Sequence, residues 1–450
     1  MTTPTVDLTP LPLRTFEMVK CYTNRRASSI CTGRPRDEML VEPARKKLQP
    51  PSPTKSAFFQ FERSTSAHSL HTPYPRSSLF MFLRVMTVAT RSDIPSWVAK
   101  KMQKSRDEYA EAVIFAKGLE LGAFRPMLEG EPPPPPSDRG EAPNSYVAGD
   151  INGHNIILAF LPGTQGTIAA ARVALNLSRS FTQIQLRLLV GVGGGVAGEN
   201  EATLQRRDMR LGDVVVAMPG NGHHGLVQYD LGRDVDDGFQ LKGFLAPSPE
   251  FLLSAIIGLQ TDREMPTRLS EHIRAVLDGD DEDGREYDRL PASTDVLLLP
   301  NVPHFSHGCD CRNRMSRYAV RRGPRAKPDI PTIHYRPIAS GNSVIMSNGS
   351  RRRILDHLED HGDVLCFEME GTGLATESSC LVIRGISDYA DPPKQKGWQR
   401  YAALAAAAFA KELLLTIQPF NDDDHSDEGE ATFSDTDDSE SRDEWAPSRR

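Results

Sequence analysis

Between about residues 109 and 418, short runs of β-branched and apolar residues alternate with Ala- and Leu-rich stretches at helical spacing. That alternation predicts an α/β fold organised around a sheet. The spacing predicts a first strand over Ala112–Ala116, a helix over Gly118–Leu128, and a hairpin of Tyr146–Asp150 with Asn155–Phe160 turning at Asn152-Gly153. A small-residue helix follows over Gly166–Leu177, then a strand over Leu186–Val190 that ends at Gly191, Gly193, Gly194 and Gly195. Further strands are predicted at Asp213–Ala217, Ile333–Ala339, Val364–Glu368 and Cys380–Gly385. Helices are predicted at Glu250–Leu259, Thr267–Leu277, near Ser350–Glu359, and over Trp398–Ile417. Five prolines, Pro132 to Pro136, exclude helix or central strand and imply an extended loop. From about 278 to 331 periodicity fails, as in an irregular insertion laid over a scaffold.

Outside this region the composition changes. Residues 1 to 100 hold about 15 basic and about 7 acidic side chains with many Ser, Thr and Pro, and no sustained apolar period. After Phe420 the chain is a run of Asp and Glu with few apolar residues. The expected organisation is a disordered basic segment over 1–106, one domain over 107–419, and a disordered acidic tail over 420–450. No stretch reaches the roughly 18 apolar residues that would span a membrane. Cys21, Cys31, Cys309, Cys311, Cys366 and Cys380 are too few and too irregularly spaced for a disulfide framework. A soluble, cytoplasmic protein of a reducing compartment is expected, with a nuclear location as the alternative.

The run Val190-Gly191-Val192-Gly193-Gly194-Gly195 invites a dinucleotide-binding assignment, which the polar stretch Glu199–Arg210 after it opposes, since no apolar helix period follows. The glycines are better placed as the floor of a pocket at the carboxyl end of a strand, with a plain tight turn as the alternative. Two acidic positions stand where strands meet loops. In Phe367-Glu368-Met369-Glu370-Gly371, period-two alternation would put Glu368 and Glu370 on one face. In Ile383-Arg384-Gly385-Ile386-Ser387-Asp388, an apolar strand ends on a carboxyl that would stand partly desolvated beside an open pocket, as suits a general acid. On the residues alone, Asp388 could equally cap a turn or pair with Arg384. His304, His307, Cys309 and Cys311 are four soft donors within one loop, but Cys-x-Cys is tighter than the usual zinc-ligand spacing, and no metal site is expected. His223-His224 lies in a Gly-rich turn, where exposed histidines are common.

The strings DVLCFEMEGTGLA (363–375) and LVIRGISDYA (381–390), with the helix over 398–414, resemble the nucleoside phosphorylase/nucleosidase superfamily. The resemblance is closest to the nucleoside phosphorylase-like domains of filamentous fungi, related to methylthioadenosine/S-adenosylhomocysteine nucleosidases. It continues through IHYRPIASGNSV (333–344), LGDVVVA (211–217), GLVQYDL (225–231) and GTIAAA (166–171). It implies a three-layer α/β/α fold with a mixed central sheet, and cleavage of the N-glycosidic bond of a purine nucleoside. By resemblance, Asp388 is the acid that protonates the base and Glu370 the carboxylate that holds the ribose hydroxyls, with Met369 packing on the sugar. Arg384 steadies the acidic cluster, Ser387 neighbours the acid, and Val344 and Ile345 contact the base. Gly193 and Gly194 floor the pocket, and Glu120 matches the glutamate that activates water. No cofactor is implied, although inorganic phosphate is a conceivable co-substrate. Relatives commonly form homo-oligomers.

The sequence departs from that pattern at four places. Val192 stands where a phosphate- or water-binding hydroxyl is usual, Leu189 where phosphorylases often carry an arginine, Val344 where an aromatic stacks on the base, and Lys117-Gly118 where an apolar-Pro pair precedes the glutamate. The first two favour hydrolysis over phosphorolysis, because burying a phosphate dianion requires cationic donors. A nucleoside- or nucleotide-sensing module of weak activity is the rival from another class. Nucleic acid is not an expected partner, since the basic N-terminal segment lacks interleaved aromatic residues.

Overall fold

A computed structural model describes residues 103–135, 145–198, 203, 207–220, 224–236, 238–243, 245–279, 285–299, 318–392 and 396–420. The two expected tails, apart from 103–106 and 420, lie outside the described residues, as do His223 and the His304–Cys311 cluster.

In chain order the elements are β1 (Glu111–Phe115), α1 (Gly118–Phe124), β2 (Tyr146–Ile151), β3 (His154–Phe160), α2 (Thr167–Ser180), β4 (Leu186–Gly195), β5 (Val214–Ala217), β6 (Leu226–Gln228), β7 (Gly232–Val235) and β8 (Gly238–Leu241). Then come α3 (Glu250–Thr261), α4 (Met265–Leu277), β9 (Ile333–Arg336), β10 (Ile338–Ser340), α5 (Asn348–His357), β11 (Cys366–Glu368), α6 (Gly371–Ala375), β12 (Leu381–Asp388) and α7 (Gln399–Thr416). All of them except β7 and β8, which form their own hairpin, belong to or flank one mixed sheet. The α/β class and the three-layer arrangement expected from the sequence are those observed. The apolar strands β1, β5 and β12 are buried along their whole length, as a sheet covered on both faces requires.

The β2–β3 turn is the expected one. Asn152 and Gly153 both have positive φ, 48° and 84°, which matches the twist of a two-residue hairpin. Helix α7 packs on β12 and β4 and against α1 and α4. Its run of buried alanines from Ala405 to Ala408 brings the helix backbone close to the sheet, so that a Cβ on Gly385 of β12 would overlap the Ala402 carbonyl. A second helical group pairs α2 with α6.

Strand β4 organises the sheet and corrects one expectation. Its glycines are strand, not a terminal loop, and the strand runs to Gly195. One edge of β4 pairs with β1 over Leu186–Leu189 and, farther along, with antiparallel β11 at Gly194 and Gly195. The other edge pairs with β12 from Leu188 to Gly194. The sheet therefore forks beside β4, between the end of β1 and the start of the β11 pairing. Glycine is required there because neighbouring side chains crowd the backbone: a Cβ on Gly191 would lie 2.5 Å from Arg384 Nη1 and 2.6 Å from Glu120 Oε1.

Three further differences from the sequence expectation have local causes. The single strand predicted over 333–339 is two, β9 pairing with β5 and β10 with β11 and β6. They part at Pro337, which has no N–H to continue a ladder. The β7–β8 hairpin was not anticipated, its strands being short, polar and half-exposed. The irregular insertion is not merely draped on the surface. Arg325 binds both oxygens of buried Asp213 at 2.7 Å, and Arg322 Nη1 donates to the Tyr389 hydroxyl at 2.7 Å. Burial opposes charge on Asp213, yet His334 and Arg325 outweigh it and hold the carboxyl below its usual range. No helix among the described residues is long and apolar enough to cross a membrane.

Candidate active site

The fork in the sheet opens into a cavity of about 180 Å³ at the carboxyl ends of β1, β4, β11 and β12. Glu120 enters it from the first turn of α1. Its Oε2 accepts the backbone N–H groups of Ala116 and Lys117, each at 2.9 Å, and its Oε1 accepts that of Val192 at 2.9 Å. One carboxylate thus ties the end of β1 to β4 across the gap where their ladder has ceased.

Strand β11 ends at Glu368, and the backbone then turns helical at Glu370 (φ −111°, ψ −30°) into α6. Strand alternation therefore does not relate Glu368 and Glu370. They converge because the Glu368 carboxylate accepts the N–H of Glu370 at 3.0 Å and that of Gly371 at 2.9 Å, so that it caps the turn itself. The Arg384 guanidinium then reaches both acids through Nη2, in close contact with Glu368 and 3.2 Å from Glu370 Oε2. Burial opposes the Arg384 charge, but Glu368, Glu370 and Glu120 outweigh it and raise its pKa further. Burial pushes the Glu370 pKa up as well, with Arg384 partly offsetting this and Glu368 adding to it. Glu370 Oε1 accepts Gly166 N–H at 3.1 Å, which fixes the carboxylate toward the start of α2.

Asp388 is the last residue of β12. Its Oδ1 accepts the N–H of Ala390 at 2.9 Å, and the Ser387 hydroxyl stands 3.2 Å from its Oδ2 and 3.4 Å from the Gly193 carbonyl. With a single proton, that hydroxyl serves one acceptor at a time. Arg384 makes no ion pair with Asp388; its partners are the two glutamates.

The expected residues Asp388, Glu120, Glu370, Met369, Ser387, Val344, Ile345, Gly193 and Gly194 all line this one cavity. Arg384 does not. It is fully buried behind the wall, where it acts on Glu370 rather than on anything bound. Val344 is 55% exposed at the rim, while Ile345 is buried. Phe367, which sequence reasoning passed over, supplies an aromatic wall. It stands opposite Gly194 across the β4–β11 ladder and meets Tyr229 edge-to-face, with ring centroids 5.9 Å apart. Tyr229 in turn donates from its hydroxyl to the Ser343 carbonyl at 3.0 Å, so the Val344 segment and Phe367 are braced together. Phe367 lies within the DVLCFEMEG string but reads as an ordinary core residue of an apolar strand. Lys117 and Lys396 also line the cavity and were not anticipated as lining residues. Among the described residues no group of three or more acidic, His or Cys side chains is arranged to hold a metal.

The arrangement suits chemistry in which a leaving group gains a proton while positive charge develops on a neighbouring carbon. Asp388, Glu120 and Glu370 share the cavity with the apolar side chains of Phe367 and Ile345.

No family model matches the chain. A nucleotide-binding leucine-rich repeat (NLR)-like protein of Hyaloscypha variabilis is 38% identical over 314 residues, which is 70% of this chain and 30% of that protein. The chain therefore spans about 30% of the length of the curated relative it matches. Among solved structures, the 5′-methylthioadenosine/S-adenosylhomocysteine nucleosidase of Neisseria meningitidis in complex with methylthio-immucillin-A is 17% identical, at a TM-score of 0.42 over 68% of this chain and 98% of that one. The futalosine hydrolase of Helicobacter pylori is also 17% identical, at a TM-score of 0.42 over 70% of this chain and all of the other. With its motifs gathered at the fork of a mixed α/β sheet, the chain is similar over 70% of its own length to part of a fungal NLR-like protein.

Proposed function

We propose that the cavity cleaves the N-glycosidic bond of a purine nucleoside, with water as the acceptor. The observation that carries this is the convergence of Asp388, Glu370 and Glu120, from three separate elements, on one cavity with an aromatic wall. In this reading the base lies between Phe367 and Ile345, and Asp388 gives a proton to its N7. The C1′–N9 bond breaks with its electron pair passing into the protonated base, which leaves as neutral purine. Glu370 holds the ribose hydroxyls while C1′ becomes oxocarbenium-like. Water adds to C1′ and gives up its proton toward Glu120, whose Oε1 retains acceptor capacity beyond the Val192 bond. The products are free base and ribose. Hydrolysis is preferred to phosphorolysis because the Val192 and Leu189 side chains offer no phosphate donors, and because Glu120 and Glu370 both line the cavity.

A second reading, a nucleoside- or nucleotide-sensing module, is favoured by the relative's NLR-like character and by the exposed Val344 at the base position. One experiment separates the two. Folded protein is incubated with adenosine, guanosine and inosine, and free base is followed by chromatography. Release by the wild type that falls by about 10²-fold or more in Asp388→Asn supports cleavage. Release unchanged by a well-folded Asp388→Asn removes that residue from the mechanism, and binding without release supports the sensor.

A further inference from the structure

The cavity wall is not uniformly acidic. Lys117, immediately before α1, and Lys396, in the last turn before α7, both line it, and α1 and α7 pack against each other. Neither ammonium has an ion-pair or hydrogen-bond partner among the described residues. Two cations without partners on one cavity wall offer charge-assisted hydrogen bonds to an anionic occupant and nothing to a neutral one. We propose that they bind a phosphate group carried on the 5′ carbon of the sugar, so that the substrate is a purine nucleoside 5′-phosphate.

The inference rests on the cleavage reading for the placement of base and ribose. With the base toward Asp388 and the ring hydroxyls on Glu370, the 5′ carbon is the remaining position from which the substrate can present a group to the lysines. A neutral 5′-hydroxyl needs no cation, whereas a phosphate dianion takes charge-assisted hydrogen bonds from both. Free inorganic phosphate would share this chemistry, but to react it must approach C1′. That approach is lined by Glu120 and Glu370, with Glu368 behind them, and the Arg384 guanidinium is buried on Glu368 and Glu370 rather than facing the cavity.

Binding is tested apart from cleavage. In the full chain carrying Asp388→Asn, calorimetry with adenosine and with adenosine 5′-monophosphate should show at least about tenfold tighter binding of the nucleotide. That preference should vanish in Lys117→Met/Lys396→Met. Lys396 is exposed, so Lys396→Met alone tests the assignment should the change at Lys117 disturb α1. Equal affinities, or a preference untouched by the lysine changes, overturn the proposal. Base release by the wild type from the same two compounds distinguishes the two layers. Cleavage without preference for the nucleotide overturns the phosphate assignment and leaves the cleavage reading standing. Preferential, lysine-dependent binding with no base released from either compound does the reverse. In a third arm, cleavage of adenosine that requires added inorganic phosphate and is lost in the lysine variants would assign them to the free anion and overturn the 5′ placement.

Discussion

Replacing Arg384 by Met removes the one cation shared by Glu368 and Glu370 while keeping most of the side-chain volume. The guanidinium and the Glu368 carboxylate are fully buried, and the Glu370 side chain is 7% exposed, so solvent screens little of the loss. Removing one partner of a buried ion pair costs about 3–5 kcal/mol, because the other charge is left without compensation. Here the lower end applies. Glu368 keeps the N–H groups of Glu370 and Gly371, and Glu370 keeps that of Gly166. A loss of about 3 kcal/mol at neutral pH is therefore expected, measured as the shift in urea-unfolding free energy at constant m. The sign of the pH dependence is fixed. The folded-state pKa of Glu370 already lies above its unfolded value, so the folded protein binds the extra proton in that window and stability falls as pH rises through it. Taking away Arg384 removes an influence that lowers this pKa, which widens the window upward. The deficit of Arg384→Met should thus shrink as pH falls from 7.5 toward about 5. Adding Glu370→Gln to Arg384→Met should recover part of the loss at neutral pH. A deficit below about 1 kcal/mol, or one that is flat with pH and indifferent to Glu370→Gln, would refute the buried-charge account.

Two further perturbations read the packing and the fork. Gly385→Ala places a Cβ into the Ala402 backbone carbonyl, where no side chain can yield, and should lower stability by about 3 kcal/mol through displacement of α7 from β12; an unchanged urea midpoint would show that the helix sits farther off. Glu120→Gln sets an amide where a carboxylate accepts three backbone N–H groups, so at least one donor faces another donor, and a loss of about 1–3 kcal/mol should accompany any fall in base release. Lost turnover with unchanged stability would confine Glu120 to the chemistry.

Much of the fold was legible because buried strands and Ala-rich helices carry strong local periods. The glycines of β4 were misassigned because glycine after an apolar run usually marks a turn. Here it marks crowding by side chains from α1 and β12, elements about 70 and 190 residues away in sequence. The site acids could be found by motif. Their relation to one another could not, since Glu368 and Glu370 are joined by a capping turn and by Arg384 rather than by strand alternation. Phe367, Lys117 and Lys396 carry no signal of their own. Each is an ordinary residue type that matters only because the fork places it on the cavity wall.

The insertion over about 278–331 shows why the scaffold and the site cannot be considered apart. Past Asp388 the chain turns so sharply that Ala390 takes a positive φ of 52°, a conformation that costs a non-glycine residue roughly 1–2 kcal/mol. That corner is held from several directions. The Tyr389 hydroxyl is bound by Arg322 at 2.7 Å and contacts Asp295, both from the insertion. Arg351 of α5 donates to the Tyr389 carbonyl at 2.6 Å, and Asp388 accepts the Ala390 N–H. Tyr389 is fully buried, so the corner cannot relax without breaking these contacts together. The direction of the Asp388 carboxylate is thus set by a segment that the sequence pattern marks as irregular. Its irregularity follows from what it does, since a segment that must supply Asp295 and Arg322 to one buried tyrosine, and Arg325 to Asp213, is shaped by those contacts rather than by a helical or strand period.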